Sequence, residues 1–186
     1  MNSSLKLVCF FFIALALGAC QESEYQRLVK AELASGVRYD SLMFGVKFGD
    51  SSKDFYAKCW ELNKTGVISH GPKNMNVQYT ISNPEGSDIA MLFYPAYDSN
   101  GAIKKLDVEF TYKAWAPWND AYQADQLLPI IRDTLENWYP GNPFMELPSQ
   151  SDTILVKVDG NRRISMKSDG KRNVLVKMID MSNQDN

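Results

Sequence analysis

Apolar positions change their period several times along the chain, and each change marks an element. Residues 7–17 form a continuous apolar run, after which Tyr25, Leu28, Val29, Glu32 and Leu33 recur at near-helical spacing up to Gly36. A short helix is expected over 21–35, serving as a stalk or lid. Residues 43–49 alternate and end in glycine, which predicts a strand. Ser51 and Asp54 then stand at capping-box spacing, followed by Phe55, Cys59 and Leu62 at i, i+4 and i+7 with Tyr56 and Trp60 beside them, and Gly66 closes this second helix. Val77, Tyr79 and Ile81 alternate as a strand. Runs at 89–97 and 102–113 meet across Asp98-Ser99-Asn100-Gly101. An Asn-Gly pair between apolar runs signals a hairpin, because both central positions need positive φ. In the later run Leu106, Val108, Phe110 and Tyr112 point one way and Asp107, Glu109 and Thr111 the other, so one sheet face is core and the other wet.

Trp115-Ala116-Pro117-Trp118 reads as a joint, and Asn119 as the cap of a third helix carrying the stripe Ala124, Leu128, Ile131, Leu135 and Trp138. Pro129 inside that pattern is expected to kink or split it. Strands follow at 153–158, 162–168 and 173–181, with Asp159-Gly160 and Asp169-Gly170 as turns. Ile154, Val156 and Val158 are expected to face the same way as Ile164 and Met166, and as Val174, Val176 and Met178. Helix and three strands therefore occur twice, which predicts an α+β fold of two related halves, each a helix on an antiparallel three-stranded meander. The expected boundaries are 43–114 and 115–186 for the halves, after a signal at 1–19 and an anchor with its helix at 20–42.

The first apolar run carries Lys6 ahead of it and is too short for a bilayer span of about 20 apolar residues, so it reads as a secretory signal. It ends in Leu17-Gly18-Ala19-Cys20, which resembles the lipobox of bacterial lipoproteins at all four positions. That resemblance implies cleavage before Cys20, diacylation of its sulfur and acylation of the new amino terminus. Stable anchoring needs more than one acyl chain, which agrees. The competing reading, an ordinary signal cut after Ala19, leaves Cys20 as a plain N-terminal thiol. Glu22 and Glu24 behind the cysteine resemble the export tags of surface lipoproteins in some bacteria.

Charge and chemistry narrow the function. The chain has 20 basic and 22 acidic residues, a mild negative balance that argues against a nucleic-acid partner. With Cys9 in the signal and Cys20 at the anchor, Cys59 is left without an internal disulfide partner, and its helical position reads as a small core hydrophobe rather than a nucleophile. One histidine, His70, stands before Gly71-Pro72 without an evident carboxylate or nucleophile, so it reads as a loop residue. No cofactor or metal site is expected, since clustered His, Cys and carboxylates are missing, and neither a phosphate loop nor a nucleophile elbow appears. Two surfaces remain. The wet face of the last meander is expected to collect Lys157, Arg163, Lys167 and Lys177, a pattern usual for solubility and edge protection. Tyr94, Tyr97, Trp115, Trp118, Tyr122, Trp138 and Tyr139 crowd the joint, where they either seal two small sheets or bind; if they bind, Trp115, Trp118 and Tyr97 are the expected anchors.

In element order, the duplicated helix-then-meander behind a lipobox resembles β-lactamase inhibitor protein and the SmpA/OmlA small lipoproteins of outer-membrane assembly. Gly36-Val37-Arg38-Tyr39-Asp40-Ser41-Leu42, with Phe48-Gly49 and Cys59-Trp60-Glu61-Leu62, also resembles a group of uncharacterised Bacteroidetes lipoproteins. Neither likeness carries site residues over. The expectation is a non-catalytic lipoprotein held to the membrane through Cys20 at the periplasmic or outer face of the outer membrane, with an envelope protein as partner. The alternative is a carrier of a hydrophobic or glycan ligand held between helix and sheet; an envelope enzyme is the third.

Overall fold

The computed structural model describes residues 22–84, 86–148 and 153–182, so the signal segment and Cys20 lie outside the described residues. The protein is α+β. Helices α1 (Glu24–Ala34), α2 (Ser52–Lys64) and α3 (Ala124–Trp138) accompany strands β1 (Ser69–His70), β2 (Val77–Ile81), β3 (Ile89–Tyr97), β4 (Ile103–Tyr112), β5 (Met145–Pro148), β6 (Thr153–Asp159), β7 (Arg162–Ser168) and β8 (Asn173–Asp180). All eight strands join one antiparallel sheet in the order β1-β2-β3-β4-β8-β7-β6-β5. The seam lies at the centre, where Leu106, Val108 and Phe110 of β4 pair with Met178, Val176 and Val174 of β8. Leu127, Ile131 and Leu135 of α3 pack over that seam, all without exposure.

Local signals explain most elements. Ser51 and Asp54 form a reciprocal capping box on α2, and Phe55 sinks fully from that helix against Phe93 of β3. Burying such a ring stabilises by about 1.5–3 kcal/mol. The β3–β4 hairpin forms as expected, but Gly101 alone takes positive φ, 78°, while Asn100 does not: the loop is longer than a two-residue turn and closes between Asp98 and Ala102.

Other expectations change. Residues 43–49 form a tight reversal rather than a strand: Phe44 and Gly45 take φ 54° and 75°, and Val46 returns its amide to the Met43 carbonyl. The reversal still drives Leu42, Met43, Val46 and Phe48 into the core. Asn119 caps a short 3₁₀ turn at Asp120–Tyr122, and α3 begins only after Gln123. Pro129 neither splits nor ends α3, because it sits on the exposed side near the start, where it removes a single helical bond. The buried stripe runs through Leu127 rather than Leu128, leaving Trp138 at the surface.

The facing of β6 is also corrected. The two-residue turn pairs Asp159 with Arg162, so Val156 lies opposite Ser165 and Val158 opposite Arg163, while Lys157 lies opposite Ile164. Ile154, Val156 and Val158 therefore point away from Ile164 and Met166. On their own side they meet Tyr25, Leu28 and Val29 of α1, which covers the sheet opposite α3. Lys157 does not join a wet basic face: it is buried, donating to Asp159 and to the Asn142 carbonyl. Arg162 lies beside the same carboxylate, between the rings of Tyr39 and Tyr139.

Candidate functional site

The three expected anchors are not brought together. Trp115 follows the end of β4 and is half-buried, its indole N–H donating to Gln123 Oε1 at 3.3 Å and one ring face lying under the Arg172 guanidinium. Trp118 stands 84 % exposed in the same loop. Tyr97 pairs with Ile103 at the opposite end of the β3–β4 hairpin, past a bulge at Ala96/Tyr97. A strand as long as β4 separates them by roughly 30 Å. Tyr97 has a buried hydroxyl without a hydrogen-bond partner, and burial pushes its pKa up to about 12. Its ring packs half-buried against the core at the far end of the hairpin, so of the three expected anchors only Trp115 and Trp118 share the joint.

A different constellation forms beside α2. Tyr56, Cys59, Trp60 and Asn63 fall at i, i+3, i+4 and i+7 and make a second stripe next to the buried Phe55. Across from it lie Ile68 and the edge strand β1, the loop 74–76, and Tyr94 of β3. Together they enclose a groove of about 690 Å³, within the size of small-molecule sites and larger than the depressions of about 470 Å³ beside α1 and 340 Å³ at the end of α3.

The walls are positioned locally. Gly66 takes φ 74° and turns the chain back from α2, while Asn63 Nδ2 donates to the Ile68 carbonyl at 3.1 Å. After β1, Gly71 is favoured by close approach: a Cβ there would lie 3.0 Å from the Asn76 carbonyl oxygen and 3.2 Å from Leu92. Lys73 and Asn74 both take the left-handed conformation, at φ 56° and 57°. Such positions carry strain for a lysine and less for an asparagine, and they commonly mark sites where the chain is held in one shape.

The groove is apolar at its base and neutral at its rim. The Tyr56 and Tyr94 hydroxyls lie 2.6 Å apart, and this bond, with burial behind it, holds the Tyr94 phenol above its usual range. Burial pushes the Cys59 thiol up to about 11, so it stays protonated at neutral pH and is a poor nucleophile. No Asp, Glu, Lys or Arg lines the groove, and His70 is its one histidine. Among the described residues no group of three His, Cys, Asp or Glu side chains could hold a metal ion. Trp60 and Tyr56 are 63 % and 54 % exposed, so two large rings face solvent here without covering the core.

The sequence held a signal for this site, in that α2 carries two adjacent stripes, although Phe55 and Cys59 make its core contact without the expected Leu62. The opposing wall comes from β1 and its loop, whose pattern predicts no element. Comparison with protein-family models, curated proteins and solved structures finds no match.

Proposed function

We propose that this chain is a lipid-anchored, non-catalytic binding protein of the bacterial cell envelope, capturing its ligand in the groove between α2 and β1. The observation that carries the reading is the neutral, aromatic groove of about 690 Å³, with Tyr56 and Trp60 open to solvent and a thiol held protonated. The anchor is supported by the four-position lipobox match at Leu17–Cys20, and an anchored body at the periplasmic or outer face of the outer membrane is the localisation proposed with it. Four strands rather than the expected three follow each of α2 and α3, because Ser69–His70 and Met145–Pro148 pair at the two sheet edges, and this matching order supports reading the body as two related halves.

Trp118 favours a second reading. A tryptophan 84 % exposed on a loop braced by Trp115 and Arg172 suits an anchor for an envelope protein partner. Crosslinking in intact cells, followed by mass spectrometry of the gently extracted protein, separates the two. A co-purifying small molecule lost with Trp60→Ala but kept with Trp118→Ala supports the groove. A stoichiometric protein lost with Trp118→Ala but kept with Trp60→Ala transfers the function to the loop, and neither species would sink both readings. The same preparation carries label from a palmitate analogue in the wild type and none in Cys20→Ser if the anchor is as proposed.

A further inference from the structure

Resting on the reading of the groove as a ligand site, the lining also indicates what the ligand is. We infer that the groove takes a neutral oligosaccharide, stacked on Trp60 and Tyr56 and hydrogen-bonded along the rim by Asn63, Asn74 and Asn76.

Charge is the first discriminator. The lining offers no ammonium, guanidinium or carboxylate, so a phosphate, sulfate or uronate would be desolvated there without a counter-charge, an expensive step. The second is the character of the polar groups. Three asparagines, Ser69 and His70 stand among the apolar residues. Each amide and hydroxyl both donates and accepts, which is also what a sugar hydroxyl does. An acyl chain would cover these groups and pair with none, leaving desolvated polar atoms.

The tyrosine pair works the same way. One hydroxyl proton is used within the 2.6 Å bond between Tyr56 and Tyr94, and the other remains free to donate outward. The third discriminator is the ring arrangement. A pyranose presents a flat C–H face with hydroxyls at its edge, matching an exposed aromatic wall with amides beside it. Lys64 lies over the Trp60 ring at 5.5 Å, and it pairs with Glu61 on the outside of α2. Its ammonium therefore lies against a lining ring but is paired with the Glu61 carboxylate, so it brings no unpaired charge to the groove.

The test is binding of the full-length protein, reconstituted in phosphatidylcholine vesicles, to an array of neutral and acidic oligosaccharides, with titration calorimetry on any hit. The expected result is binding of a neutral class only, weakened at least about tenfold by Trp60→Ala and unchanged by Trp118→Ala. Asn74→Gly serves as a second variant, because glycine keeps the left-handed backbone while removing the amide; it should weaken the same hit with the circular dichroism spectrum intact. Failure of every neutral sugar, or binding indifferent to both groove variants, overturns the inference. Titration with a fluorescent fatty acid in parallel separates the two failures. Uptake that depends on Trp60 would keep the groove as a ligand site and remove the sugar, whereas no uptake and no sugar would remove both.

Discussion

Cys59 and Trp60 are neighbours in the chain, and about 100° of helix rotation gives them opposite surroundings. The thiol turns toward Phe55 and the core edge, where the absence of water penalises the thiolate and moves its pKa from 9.0 to about 11. The indole turns outward and stays mostly wet. Reactivity follows from the first fact. Because only the thiolate is alkylated, a pKa raised by two should slow iodoacetamide labelling of Cys59 at pH 8 by about a hundredfold relative to an unburied cysteine peptide. The rate should then climb about tenfold per pH unit until near pH 11. Peptide-level mass spectrometry reads Cys59 separately from the other cysteines. A labelling rate that levels off near pH 7 would mean an activated thiol, and with it an enzymatic use of the groove.

Elements differ in how deeply they are seated, and of the three described helices α1 alone has no buried residue. It meets β6 through Tyr25, Leu28 and Val29. Its C-terminal end is fastened by Glu32, whose carboxylate accepts from the Gly160 amide at 2.6 Å and from Asn142 Nδ2 at 2.7 Å. Bonds to a charged group contribute about 1.5–3 kcal/mol each where burial is substantial. Glu32→Ala should therefore raise hydrogen exchange across 24–34 at least about tenfold while β4 and β8 keep their protection, a local opening rather than global unfolding. Equal loss of protection in the central strands would show that α1 is part of the cooperative core. This helix was legible in the sequence because its apolar spacing and the Gly36 that closes it are local; its place on the sheet was not. That depends on which face β6 turns toward it, set by the two-residue turn at Gly160-Asn161. The same limit applies to the candidate site. Tyr56 and Trp60 were visible as a stripe, but β1 is two exposed residues made into a strand by pairing with Gln78 and Val77. The reversal at 42–46 misled for a further reason, since alternating residues at a glycine-bearing turn look like a strand until Phe44 and Gly45 take positive φ.

At the scale of the whole molecule, the seam between β4 and β8 decides whether the body folds as one unit. The boundary expected between 114 and 115 separates β4 from the helix and strand that cover it. Seven residue pairs join β4 to β8, and α3 lies across β4, β7 and β8 together. A chain ending after β4 would expose Leu106, Val108 and Phe110 beside an unpaired central edge, a template for aggregation. The halves should thus share one transition even if they arose as copies. Val176→Ala tests this, since Val176 is 1 % exposed and directly opposite Val108, and a cavity there should cost about 2 kcal/mol. In a single cooperative unit that loss lowers the protection of β3 and β7 amides equally, although only β7 adjoins the substituted strand. Protection falling in β7 while β3 retains its own would mean two separately stable halves meeting at a dispensable seam. The groove would then stand or fall with the first half, since its wall residues all lie between Tyr56 and Tyr94.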